Sequence, residues 1–124
     1  TGWMESLLES TMSRWFSEDY MAAEPKECDK VRDMIRNTQV TGFCGCCRAI
    51  QGLDLTDKIS NITAPTQMIV GEDDPGTPVA AHEVMHEKRK GSELVVIPNA
   101  LHFSNVEQKD DFNDAYMKFL RKHT

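Results

Sequence analysis

The sequence predicts an α/β fold in which two parallel β-strands present the polar groups of a site. Residues 66–70 and 93–97 are continuous apolar runs, as is usual for buried parallel strands. The helical pattern between them is long enough for a right-handed crossover. Acidic residues follow the first run and His102 follows the second. The carboxyl ends of parallel strands share one edge of a sheet, where ligands bind in open α/β folds, so both groups are expected there.

The first half of the chain predicts helices and no strand. Apolar residues recur at helical spacing in residues 3–16, which are followed by a predicted loop at 17–20. Pro25 suits the first turn of a second helix to about Thr38. A third helix is predicted from about Thr41 to Gln51, with Gly52 as its stop. We therefore divide the chain into helices at 1–51, a linker at 52–61 and an α/β segment at 62–124.

Two further helices are predicted in the α/β segment. Thr77-Pro78 starts the crossover helix, and Gly91 ends it. Ser104 and Glu107 have the spacing of a capping box at the start of the last helix. Two parallel strands alone leave open edges and an uncovered apolar face. The chain is thus expected to pair with another polypeptide, to pair with itself, or to belong to a longer protein.

Composition excludes several functional classes. The net charge of -6 and the pI of about 5.1 argue against nucleic-acid binding. No apolar stretch reaches the length of a membrane span, and no signal peptide is visible at the start. The four cysteines include three within four residues, which suits a disulfide scaffold poorly. A reduced, cytoplasmic protein is the expectation.

The candidate metal ligands favour structural interpretations. Cys44, Cys46 and Cys47 lack the second pair that zinc sites require, so we interpret them as small buried residues on a helix. His82 and His86 are spaced to share one helix face, but no third ligand accompanies them. An exposed helix face is the simpler explanation. The sequence predicts no metal site.

The acid and His102 form two members of a nucleophile–His–acid triad, in which the acid orients the imidazole that takes the nucleophile's proton. When the order is nucleophile, acid, histidine, the nucleophile lies N-terminal to both. No Gly-x-Ser-x-Gly occurs in this chain. The simpler alternatives are that Asp73-Asp74-Pro75 is only a turn, and that the histidine is structural.

Two loops and several shorter motifs carry a family resemblance. Residues 71–78 resemble the acid loop of α/β-hydrolases, and residues 100–108 resemble their histidine loop. Together with residues 13–16, 41–50 and 62–66, they make the chain similar to the C-terminal half of 3-oxoadipate enol-lactonases across nearly its whole length. The resemblance implies a partial α/β-hydrolase fold: cap helices, the last two parallel strands and the flanking helices.

The resemblance also implies roles for individual residues. The family pattern Gly-x-x-Asp selects Asp74, rather than Asp73, as the triad acid, and His102 matches the base. Arg14 and Trp15 would line the substrate pocket, although helix packing with a surface charge is the alternative for them. The implied substrate is a small lactone or ester, as in the lactone hydrolysis of aromatic catabolism, with no cofactor.

The missing nucleophile leaves three hypotheses. In the first, a separate N-terminal half completes a lactone hydrolase, and this chain alone is inactive. In the second, the chain is a non-catalytic module that forms a homo-oligomer or binds another protein through its sheet edge. In the third, the complete enzyme is an α/β-hydrolase of another specificity, such as an esterase or a carbon–carbon hydrolase.

Overall fold

The structure is a computed structural model that describes residues 2–124, so Thr1, the first residue of the predicted cap segment, lies outside the described residues. In this part of the chain there are seven α-helices, one 3₁₀ helix and two β-strands. In chain order they are α1 (Trp3–Trp15), α2 (Glu18–Ala23), α3 (Pro25–Arg36), α4 (Val40–Gln51), the 3₁₀ helix (Thr56–Asn61), β1 (Gln67–Gly71), α5 (Val79–Lys88), β2 (Glu93–Ile97), α6 (Ser104–Glu107) and α7 (Lys109–His123).

The chain divides into two compact units. The first contains residues 2–13 together with Ser17–Asp54, and the second contains Arg14–Phe16 together with Leu55–Thr124. The last residues of α1 therefore belong with the α/β segment rather than with the other helices. None of the described helices is both long and apolar enough to span a bilayer.

The helical unit buries one side of α1 and α3. Its buried apolar side chains are Met4, Leu8, Met12, Cys28 and Ile35. Two ion pairs join the exposed sides of the same helices, Arg36 to Glu5 at 2.9 Å and Arg32 to Glu9 at 3.2 Å. Exposed pairs of this kind contribute little stability. Apolar burial is therefore the main force that holds these two helices.

Two predictions for the helical unit were wrong. The predicted loop at 17–20 begins a short helix, because the Ser17 side chain accepts the Tyr20 N–H at 3.2 Å and caps α2. The cysteines of α4 are not buried: Cys44 and Cys46 are exposed, and Cys47 is half-buried. α4 has no buried residue, and its Ile50 is 67% exposed. Helical periodicity located the apolar face of α4 but did not show whether anything in this chain covers it.

The α/β unit confirms the predicted parallel strand pair. β1 and β2 are hydrogen-bonded in parallel from the pair Gln67 and Glu93 to the pair Gly71 and Ile97. α5 forms the crossover and packs against both strands. Buried apolar residues gather at the carboxyl end of the sheet: Val70, Ile97 and Ala100. This end of the sheet is therefore the better packed one, and both loops of interest leave from it.

The predicted capping box does not form. α6 begins at Ser104, its N-cap residue is Phe103, and no side chain caps it. Glu107 instead directs its carboxylate to the N–H of Leu101 at 2.9 Å. The predicted last helix is consequently split, and α7 starts separately at Lys109. The local motif was present, but a contact with the preceding loop replaced it.

Candidate active site

Asp74 is held in a tight turn directly after β1. It is 5% exposed, and its Oδ1 accepts the backbone N–H groups of Gly76 at 2.8 Å and Thr77 at 3.0 Å. The Thr77 hydroxyl donates to Oδ2 at 2.7 Å. Asp73, the competing acid, is exposed. Of the two adjacent acids, only Asp74 is therefore buried and oriented by its surroundings.

These contacts keep Asp74 ionised. Burial alone raises the pKa of a carboxyl group, but the hydrogen bonds from Thr77, His102 and Gly76 outweigh it and lower the pKa of Asp74 from 3.8 to about 2. At neutral pH both carboxylate oxygens are consequently acceptors only. Any ring nitrogen that approaches them must carry a proton.

His102 meets this condition. Its Nδ1 lies 2.8 Å from Oδ2 of Asp74. We therefore assign the proton of the neutral ring to Nδ1, which leaves Nε2 as an acceptor. The side chain of His102 is 38% exposed, whereas that of Asp74 is 3% exposed. The pair thus has a buried, charged end and an accessible, basic end, the polarity that a general base needs.

The backbone sets the distance between the two loops. The N–H of Glu72 donates to the carbonyl oxygen of Ile97 at 2.8 Å, and the N–H of Asp73 donates to that of Ala100 at 3.0 Å. These bonds extend the strand pairing into the turns. Gly71 allows the close approach, because a Cβ there would lie 2.8 Å from the carbonyl carbon of Ala100 and would also clash with its oxygen. A side chain at this position would push the histidine loop away.

The end of α1 forms a wall beside His102. The indole of Trp15 stacks on Phe103, with ring centroids 4.4 Å apart and planes at 12°. The Trp15 and His102 rings are also stacked, at 6.4 Å. The N–H of Phe103 donates to the Trp15 carbonyl at 3.0 Å. A small cleft of about 70 Å³ is lined by Arg14, Trp15, Gly76 and His102. The structure thus places the four residues predicted from sequence at one site, with Asp74 behind His102.

Known proteins with the same architecture identify the fold. No family model matches the chain. It is 30% identical over 118 residues to 3-oxoadipate enol-lactonase 1 of Acinetobacter baylyi, which covers 95% of this chain and 44% of that protein. The crystal structure of the enol-lactonase from Burkholderia xenovorans LB400 superposes with a TM-score of 0.92 at 30% identity, covering 95% of this chain and 45% of the other. A thermophilic esterase from Thermogutta terrifontis, with malate bound, gives 0.86 at 28% identity, covering 94% and 43%.

The chain corresponds to the C-terminal part of an α/β-hydrolase. It spans less than half the length of the relatives it matches. The resemblance predicted from the two loops, and the partial α/β-hydrolase fold that it implied, are both confirmed. Acid and histidine follow adjacent strands in the order expected of an α/β-hydrolase.

Sequence reasoning missed three residues of this candidate site. Thr77 was assigned only a role in starting α5, yet its hydroxyl and N–H both hold Asp74. Phe103 was not singled out, although it stacks on Trp15. Glu107 was interpreted as a helix cap and instead binds the histidine loop. An Asp followed three residues later by Thr was the only local signal, since Asx-type turns favour this spacing.

The remaining candidate ligands lie away from this site. His82 and His86 are half-buried rather than exposed, and the Nδ1 of His86 lies 2.7 Å from the Ser92 hydroxyl. Within residues 2–124, no three or more His, Cys, Asp or Glu side chains are arranged to hold a metal ion.

Proposed function

We propose that this chain supplies the acid, the base and part of the substrate pocket of a lactone or carboxylic-ester hydrolase. The observation that carries the proposal is the 2.8 Å contact between His102 and the buried, ionised Asp74 at the ends of two adjacent parallel strands. A structural histidine has no need of a partly exposed ring beside a cleft. Similarity to an enol-lactonase over 95% of the chain supports the same assignment.

The mechanism follows from the orientation of the imidazole. Nε2 of His102 accepts the proton of a serine hydroxyl as the serine oxygen attacks the lactone carbonyl. Asp74 stabilises the resulting imidazolium through Nδ1. The ring C–O bond then breaks, and Nε2 returns its proton to the departing oxygen. Nε2 of His102 then accepts a proton from a water molecule as that water attacks the acyl-serine. Return of this proton to the serine oxygen releases the acid and regenerates the serine. The residues require no metal or organic cofactor for these steps.

Arg14 and Trp15 favour a substrate that carries a carboxylate. A guanidinium binds carboxylates in a bidentate manner, and Arg14 lines the cleft that His102 also lines. 3-Oxoadipate enol-lactonase 1 of Acinetobacter baylyi is one of the relatives, and the Thermogutta esterase was solved with the dicarboxylate malate. The flat indole of Trp15 would cover the apolar part of the substrate. Aromatic catabolism in the cytoplasm is the setting that such a substrate implies.

The serine would come from a polypeptide segment equivalent to the N-terminal half of the relatives. Each strand of the pair has one unpaired edge among the described residues. Beside β1 and α7 lies an open groove of about 470 Å³, lined by Pro65, Thr66, Gln67, Ile69, Phe112, Tyr116 and Phe119. An unpaired strand beside an apolar groove is the surface that further strands of a sheet would cover.

Complementation tests this proposal. The chain is co-expressed with the portion of the A. baylyi enol-lactonase that the alignment leaves uncovered, and hydrolysis of 3-oxoadipate enol-lactone is measured. We expect turnover from the pair and none from the chain alone. His102→Ala and Asp74→Asn should each remove it by at least about 10³-fold, whereas Asp73→Asn should not. Turnover that survives His102→Ala would overturn the assignment.

The second candidate is a non-catalytic module that self-associates or binds another protein through its open edge. Two features favour it: α4 has no buried residue, and an apolar groove lies beside β1. Light scattering of the purified chain distinguishes the two. A stable homo-oligomer that does not exchange with the N-terminal half would favour the module.

A further inference from the structure

Glu107 is a buried acid that the proposed mechanism does not use. Its residue is 8% exposed, and it ends the four-residue helix α6. Its Oε2 accepts the N–H of Leu101, six residues earlier, at 2.9 Å. Burying a carboxylate is costly unless its hydrogen bonds compensate. The bond from the Leu101 N–H is one such hydrogen bond, and it ties Glu107 to the loop that precedes α6.

That loop carries His102. Asn99 adopts a left-handed conformation with φ of 53°, which asparagine tolerates better than most residues other than glycine. Gln108 donates from Nε2 to the Asn99 carbonyl at 3.0 Å, and the carbonyl of Ala100 accepts from Asp73. The N–H of Leu101 and the carbonyl of Ala100 belong to one peptide, which precedes the peptide that joins Leu101 to His102. Glu107 therefore helps to fix the backbone of the histidine loop one residue before His102.

A long carboxylate suits this position for a geometric reason. The Leu101 N–H lies in the loop after β2, and the side chain of Glu107 reaches back to it from the end of α6. A carboxylate forms a shorter and stronger hydrogen bond with a backbone N–H than a neutral acceptor does, so it restrains the orientation of the peptide more tightly. The 2.8 Å contact between His102 and Asp74 depends on where the backbone of this loop places the imidazole, since hydrogen bonds weaken steeply as their angle degrades.

We propose that Glu107 is a positioning residue whose carboxylate, by holding the Ala100–Leu101 peptide, directs Nδ1 of His102 at Asp74. The inference rests on the proposed function only in treating His102 as the base. The hydrogen bond between His102 and Asp74 can be measured in the 124-residue chain without turnover. Failure of the positioning role of Glu107 is therefore distinguishable from failure of the proposed hydrolase function.

The test is the tautomer of His102, measured by long-range ¹H–¹⁵N NMR at a pH where the ring is neutral. His102→Gln assigns its signals among those of the four histidines. The native chain should show the Nδ1–H form. Glu107→Leu should shift the ring toward the Nε2–H form that free imidazole favours, whereas Glu107→Gln, which keeps an acceptor oxygen, should restore most of the Nδ1–H signal.

Ile35→Ala is the matched control for lost stability. Ile35 is buried in the helical unit, so this variant should lower the unfolding temperature and leave the His102 tautomer unchanged. Glu107→Leu with a native Nδ1–H signal would overturn the proposal, as would a native chain without that signal. If Glu107→Leu does not fold, failure of Glu107→Gln to keep the native signal is the contradicting result. In a complemented enzyme, Glu107→Leu should lower kcat with little change in KM.

Discussion

The ring of Phe103 lies flat against the indole of Trp15, with the centroids 4.4 Å apart, while its N–H donates to the Trp15 carbonyl. The residue after the histidine is thus joined to the end of α1 by both side chain and backbone. The two contacts place the Trp15 wall and His102 on one continuous support. A change that displaces Trp15 should consequently displace His102 as well.

Phe103→Leu tests the stacking contact. It keeps the apolar volume and the backbone bond but removes the aromatic face, so the free energy of unfolding should fall by about 1 kcal/mol. Urea denaturation followed by circular dichroism measures it. Phe43→Leu, on the exposed side of α4, is the control and should change stability much less. Equal losses in the two variants would show that the stack contributes nothing specific.

Gly71→Ala should be strongly unfavourable. The new methyl group would collide with the backbone of Ala100 and Leu101, and overpacking of this kind typically costs about 1–3 kcal/mol. Gly45→Ala is the matched control, because a Cβ there meets nothing within 4 Å and α4 gains a better helix former. It should stabilise by about 0.5–1 kcal/mol. Comparable unfolding midpoints in the two variants would contradict the close-approach argument.

Thr77→Val should raise the pKa of Asp74. Burial raises that pKa already, and the Thr77 hydroxyl is the first of the hydrogen bonds that oppose it. Loss of this donor should move the pKa up by about one unit, or about 1.4 kcal/mol. Titration of the Asp74 carboxyl ¹³C resonance measures the shift. Thr66→Val removes a hydroxyl that bonds the Ala64 carbonyl instead, and it should leave the titration unchanged.

Stability should fall in acid partly because of Asp74. Its pKa is about 2 in the folded chain against 3.8 ordinarily, so the unfolded state binds a proton first as pH falls. The contribution, about 2 kcal/mol, is complete above pH 4 and is lost between about pH 4 and pH 2. Unfolding at pH 5, 4 and 3 should show a shallower decline for Asp74→Asn than for the native chain. Parallel declines would mean that another acid is responsible.

Arg14→Gln should weaken carboxylate binding in the complemented enzyme. We expect KM for a lactone that carries a carboxylate to rise about tenfold or more with little change in kcat, because the guanidinium binds substrate without taking part in proton transfer. For a neutral ester the KM should be unaffected. A similar rise for both substrates would assign Arg14 to the structure of the cleft wall instead.

The sequence by itself determined the local features of this protein. Two continuous apolar runs predicted β1 and β2, and helical spacing predicted α1, α3, α4, α5 and α7 to within a few residues. The order of acid and histidine after adjacent strands predicted their meeting, because parallel strands deliver their carboxyl ends to one edge. These features depend on the spacing of apolar and polar residues within each segment. That spacing is visible in the sequence of the segment itself.

Tertiary structure alone decided which side chains complete the site. Glu107 and Ser104 have the spacing of a capping box, yet the carboxylate binds Leu101, because the histidine loop brings an N–H within its reach. The same apolar periodicity predicted buried faces for α1 and α4, but only α1 is covered in this chain. A local pattern specifies which face is apolar. Whether another segment covers it, and which donor a polar group meets, depends on residues distant in sequence.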